Sequence, residues 1–139
     1  MKLLDTNIIL RYLTRDDEVK AAACFDLFQR LKQGEEEVVT FESIITEVVY
    51  VLSSRSHYGL SHEDIRARLT PILLLRGLRL REKRTYVRAL DIYAIYPFLD
   101  FEDALSVVHM EREGIQEILS YDADFDRIPG LARVEPRQT

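Results

Sequence analysis

Four short segments each carry an acid where a strand or helix would set it at the edge of a core. They are Lys2-Leu3-Leu4-Asp5-Thr6-Asn7, Ile45-Thr46-Glu47-Val48-Val49, Phe101-Glu102-Asp103-Ala104-Leu105 and Leu119-Ser120-Tyr121-Asp122-Ala123-Asp124-Phe125. Gathered into one pocket, Asp5, Glu47, Asp103 and Asp122 make an all-oxygen site for Mg2+ or Mn2+, which points to phosphodiester hydrolysis. Each acid alone has a plainer role. Asp5 can cap the helix that follows it, and Asp103 stands three residues after Asp100, the spacing of a capping pair. The Asp122, Asp124, Asp126 series can be a hydrated turn. It is not a calcium loop, because Arg127 stands where that loop needs Gly and Arg133 where it needs Glu. Glu47 resists such a role, since Ile44, Tyr50 and Val51 share its helix face and a buried, unpartnered carboxylate costs several kcal/mol.

The elements that must position these acids follow from periodicity and punctuation. Met1 to Leu4 reads as a strand feeding a helix, with Asp5 at the junction. A helix is expected from Asp17 to Lys32 with Gly34 as its stop, then a strand around Val38 and Val39. Ser43 is expected to cap a helix through Ser53. Ser61 and Asp64 open a further helix in which Pro71 is expected to kink or break the chain. Leu78 to Leu80 reads as a strand, and 84–96 as a helix closed by Pro97. Asp100 caps a helix to Gly114, and strands follow at 115–119 and 132–134 on either side of an acidic loop. This order predicts an α/β/α sandwich with a central, mainly parallel sheet in one domain spanning residues 1–139. Ligands of such sheets collect at the carboxyl ends of the strands. Asp5 and Asp122 are expected there, with Asp103 in the first turn of the helix before the strand at 115–119.

Composition sets the outer limits. A chain of 139 residues, 47% of them hydrophobic, can bury one good core but not two. The single cysteine, Cys24, leaves no intramolecular disulfide and fits a reducing compartment. No apolar run approaches the ~20 residues of a membrane span, so a soluble cytoplasmic protein is expected. A net charge of -5 argues mildly against nucleic acid as a partner. Its distribution argues the other way, with Arg76, Arg79, Arg81, Lys83, Arg84 and Arg88 concentrated in one stretch. The apolar runs 48–52 and 72–75 look larger than one small core absorbs, which suggests a homodimer and a greasy groove for a partner segment.

Other chemistries lack their motifs. The five glycines are isolated, so there is neither a dinucleotide fingerprint nor a phosphate loop. His57, His62 and His109 have no metal-ligand spacing, and no Gly-x-Ser-x-Gly element exists. A haloacid-type phosphatase needs a second Asp where this chain has Asn7.

In order and at these separations, the four acidic segments resemble those of PIN-domain proteins, more narrowly VapC-type toxin ribonucleases. The resemblance runs from Met1 to about Pro136. It implies a metal-dependent endoribonuclease that cuts RNA, works with Mg2+ or Mn2+, dimerises, and is held inactive by a cognate antitoxin. Position by position it assigns the catalytic, metal-binding acids to Asp5, Glu47, Asp103 and Asp122, with Asp124 as a peripheral fifth. Thr6 matches the small hydroxyl residue after the first acid, Asn7 completes that motif, and Ser120 stands where the family often has Thr. An RNA-processing nuclease without an antitoxin, or a silent interaction module, shares the fold; the module is expected to have lost an acid, and none is missing.

Overall fold

The computed structural model describes residues 1–138. Strand β1 (Lys2–Leu3) leads into helices α1 (Thr6–Thr14) and α2 (Glu18–Gln33), then β2 (Val38–Val39), α3 (Glu42–Ser53) and α4 (His62–Leu73). β3 (Leu78–Arg79) precedes α5 (Lys83–Ile95) and α6 (Phe101–Glu113). β4 (Glu117–Leu119) and β5 (Ala132–Val134) flank a 3-10 turn at Ala123–Arg127.

All strand pairing is parallel, as the alternation of strands and helices predicts. β2 lies between β1 and β3, with Lys2, Val38 and Leu78 in one row and Leu3, Val39 and Arg79 in the next. β4 and β5 form a second ladder, Ile118 opposite Arg133. The expected single sheet is thus two parallel ladders.

The helices bury residues three or four apart, the spacing that puts side chains on one face. Ile45, Val48 and Leu52 of α3 are 0% exposed, as are Ile65, Leu69 and Leu73 of α4. α5 packs against both α4 and α6, while α3 touches α1, α4 and α6 and so joins the two halves of the core. Each such Leu, Ile or Val contributes about 1.5–3 kcal/mol by leaving water.

The helix punctuation largely agrees with the sequence reading. Asp17 and Ser61 accept hydrogen bonds from the backbone N–H groups of Lys20 and Asp64, and Gly34 and Gly114 take the left-handed conformation that closes α2 and α6. Two expectations are corrected. Phe41, not Ser43, is the N-cap of α3, and Glu42 is already in its first turn, where the helix end favours an acid, with Ser43 the second helical residue. Pro71 neither breaks nor ends α4, which runs on to Leu73; so near the C-terminus, its missing N–H removes only one late hydrogen bond.

The apolar runs are also mostly absorbed. Val48, Val49, Leu52, Ile72 and Leu73 are buried, leaving Tyr50 and Leu74 as the outward members. No helix among the described residues is long and apolar enough to cross a membrane.

Candidate active site

Asp5 is the N-cap residue of α1 by backbone geometry, and its carbonyl accepts from the N–H groups of Ile8 and Ile9. Its carboxylate makes no capping hydrogen bond, so the structural role open to an Asp at this position is not taken up by the side chain. The end of β1 is fixed from below. Buried Thr40 donates through its hydroxyl to the carbonyl of Leu4 at 3.1 Å, tying the chain just before Asp5 to the chain just after β2.

Thr6, next to Asp5 and 6% exposed, donates from Oγ1 to Glu47 Oε2 at 2.9 Å. This bond joins α1 to α3 and orients the Glu47 carboxylate. Glu47 itself is exposed, which corrects the expectation that it emerges from an apolar stripe: Ile44, Ile45, Val48 and Val49 turn into the core, while Glu47 and Tyr50 lie on the outward side.

The other two candidate acids lie at the start of α6 and in the turn after β4. Asp100 caps α6 by accepting from the backbone N–H of Asp103 at 2.8 Å. Asp103 is half-buried, and its carboxyl is pushed up to about 6, first by burial and then by the negative charges of Asp100 and Asp122. Asp103 and Asp122, far apart in sequence, are therefore within electrostatic reach of one another. Asp122 caps the 3-10 turn by accepting from the N–H of Asp124 at 2.9 Å, and its own N–H donates to Ser120 Oγ at 3.0 Å. Arg133 secures that turn from behind. It forks onto Asp126 with two hydrogen bonds of 3.1 Å and donates to the Ser120 carbonyl and to Glu135.

Asp126 is neutralised in this way, whereas Asp5, Glu47, Asp103 and Asp122 have no Lys, Arg or His within salt-bridge distance among the described residues. Among those residues no three His, Cys, Asp or Glu side chains converge closely enough to hold a metal ion. The fit to a hard divalent cation thus rests on donor type and uncompensated charge, not on a finished cage. Every candidate donor is a carboxylate oxygen, and the proton affinity of Asp103 is raised in the manner that a cation would reverse.

A sequence profile described as the PIN domain matches residues 2–131, nearly the whole chain. The chain belongs to the PIN-domain family. It is also 30% identical over 136 residues to a VapC ribonuclease from Aquifex aeolicus (strain VF5), an alignment covering 98% of this PIN-domain chain and 97% of the relative.

The sequence of this PIN-domain protein nominates the acids but not all that surrounds them. Asp100 was legible as a helix cap, yet its second effect, raising the proton affinity of Asp103, depends on how the two carboxyl groups sit around the helix start. Beside the Thr6–Glu47 pair lies a groove of about 350 Å3 lined by Asn7, Arg11, His57 and Tyr58. Of these the sequence draws attention to Asn7, as part of the first acidic motif, and to His57 only as a histidine without metal-ligand spacing. Asn7, Arg11 and Thr14 follow a four-then-three spacing and so share one face of α1, a polar stripe the sequence contains but which acquires meaning only once α3 is packed alongside.

Proposed function

We propose that this protein is a divalent-metal-dependent endoribonuclease, the toxin of a type II toxin–antitoxin pair acting on RNA in the cytoplasm, and that residues 1–139 form a single catalytic domain. The observation that carries this reading is the crowding of half-buried Asp103 by Asp100 and Asp122, in a PIN-domain chain 30% identical to a VapC ribonuclease. Asp5, Asp103 and Asp122 would hold Mg2+ or Mn2+, and Glu47, oriented by Thr6, would join them or position the attacking water. When bound, the metal would polarise the scissile phosphate, lower the pKa of the attacking water and stabilise the leaving oxygen. Asn7, Ser120 and Asp124 hold positions around this set: Asn7 on α1, Ser120 as acceptor of the Asp122 N–H, and Asp124 as the residue whose N–H fixes the Asp122 carboxylate. Attack by water on phosphorus needs no 2′-hydroxyl, so the preference for RNA is supported by the relationship to a VapC ribonuclease rather than by the chemistry.

A partner site is supported by a second groove, about 530 Å3, between α1, α2 and α4. Tyr12 and Phe28 stack on its floor with ring centroids 4.2 Å apart, and Lys32, Arg68 and Arg76 line its rim without ion pairs among the described residues. An apolar floor with a basic rim suits an amphipathic, acidic segment of the antitoxin. Homodimerisation belongs to the same reading, and sedimentation at micromolar concentration tests it.

The decisive experiment incubates the purified protein with a panel of tRNA, rRNA and mRNA in Mg2+, Mn2+ or EDTA, beside Asp5→Asn. Cleavage is expected with either metal and is expected to vanish in EDTA and in the variant. The unfolding midpoint of Asp5→Asn should stay similar or rise, because one repelling charge is gone. Cleavage retained by Asp5→Asn would overturn the assignment.

A further inference from the structure

The groove beside the Thr6–Glu47 pair is a built feature. One wall is the polar face of α1 carrying Asn7 and Arg11, and the other is the loop that follows α3, carrying His57 and Tyr58. The loop is held in place by several bonds. The Tyr58 hydroxyl donates to Asp16 in the α1–α2 connection, the His57 and Gly59 N–H groups both donate to the Ser54 carbonyl, and Gly59 adopts a φ of 56° open to glycine at little cost. Both acids in the groove are already engaged, Glu47 with Thr6 and Asp16 with Tyr58.

Arg11 is the exception. It is half-buried on the groove wall and has no carboxylate within 4 Å among the described residues. Asp17 lies within its electrostatic reach but makes no ion pair with it, so the guanidinium keeps its donors open, and its planar fork matches the oxygens of a phosphate. Its position in the last turn of α1 gives it a second, purely structural role, complementing the helix carbonyls. That role neither requires nor produces a groove that reaches Thr6 and Glu47.

We propose that this groove is the subsite for the nucleotide adjoining the scissile phosphate of a single-stranded RNA, Arg11 taking the neighbouring phosphate and His57 and Asn7 meeting the base. The inference rests on the nuclease reading above and adds to it the residues that align the strand. A volume of about 350 Å3 is at the lower end for small-ligand sites, which suits one nucleotide rather than a folded motif. Arg11 and His57 are positioning residues here, acting on strand placement and not on the bond being broken.

The test is fluorescence anisotropy of a labelled, mixed-sequence single-stranded RNA with the full-length protein in Ca2+, over a series of salt concentrations. Arg11→Gln is expected to bind about tenfold more weakly, with the slope of log affinity against log salt shallower by about 0.7, the loss of one single-strand phosphate contact. Arg11→Lys should recover the slope. His57→Ala should weaken binding severalfold and leave the slope unchanged, as loss of a stacking surface does. Its exposed loop position keeps that variant informative should Arg11→Gln fold poorly. Unchanged affinity and slope in Arg11→Gln with a lowered unfolding midpoint would assign Arg11 to the helix end and overturn the subsite. Absence of binding by the unmodified protein would overturn it as well. Cleavage surviving in Asp5→Asn while Arg11→Gln loses RNA would instead overturn the catalytic assignment and leave the groove as an RNA site.

Discussion

Asp103→Asn probes the electrostatic state of the site while leaving its shape intact. In the folded chain the Asp103 carboxyl is pushed from 3.8 up to about 6, with burial the largest cause and Asp100 and Asp122 next. The folded state therefore holds this proton more tightly than the unfolded chain does. The stability it contributes is fully present below about pH 3.8 and is lost as the pH rises through about 6. At 1.36 kcal/mol per pH unit the full difference is at most about 3 kcal/mol, and because the carboxylate is partly open to water, screening lowers it to about 1–2 kcal/mol. Asn mimics the protonated acid and cannot ionise. The variant should match the parent near the acid end of this window and exceed it by about 1–2 kcal/mol at neutral pH in EDTA. Urea unfolding of both proteins at the two pH values reads this directly. Saturating Mg2+ should narrow or reverse the difference, since the parent gains more binding energy from the cation. A variant no more stable than the parent at neutral pH, or equally shifted at both pH values, would refute the crowding of Asp103 by burial and like charge.

Two further substitutions test other links. Thr6→Val keeps the shape of the side chain but removes the donor to Glu47; cleavage should fall about tenfold or more through loss of orientation, with a stability loss of only about 0.5–1.5 kcal/mol, as kinetics and urea titration would register. Gly77→Ala would put a Cβ 2.1 Å from the Glu36 carbonyl oxygen and 3.1 Å from Leu31 Cα, both rigid backbone, where the Gly77 N–H already donates to the Leu31 carbonyl. It should destabilise the protein by about 3 kcal/mol or more, and an unchanged urea midpoint would contradict this packing.

Local signals in the chain were reliable wherever one physical effect dominated. Ser61 and Asp100 were legible as caps, because a short polar side chain before an apolar-periodic run has few better uses, whereas Asp17, expected as the first helical residue, is the cap just before it. Gly34 and Gly114 were legible as helix stops because only glycine takes the left-handed conformation cheaply. Ser43 misled because Phe41 and Glu42 offered a start two residues earlier, and a difference of one half-turn is within the competition between a hydroxyl cap and an acid in the first turn. Glu47 misled in another way. Its apolar neighbours along the helix made burial look inevitable, but a helix face is wide, and the core took Ile44, Ile45, Val48 and Val49 while leaving Glu47 outside, bonded to buried Thr6.

By itself the sequence determined which residues could do chemistry and roughly where each would stand on its own element: Asp5 after the first strand, Glu47 mid-helix, Asp103 in a first turn, Asp122 after a strand. Periodicity, capping and turn chemistry are local, acting over a few residues, so they can be read from neighbours in the chain. What tertiary structure alone decided is everything that depends on distance between segments. It set Thr6 against Glu47 across 41 positions and brought Asp122 near enough to Asp103 to raise its proton affinity. It paired Arg133 with Asp126, left Asp5, Glu47, Asp103 and Asp122 without an ion pair among the described residues, and opened the groove beside Arg11. Electrostatic strength and desolvation vary with separation and exposure in space, and neither quantity exists until the helices have packed.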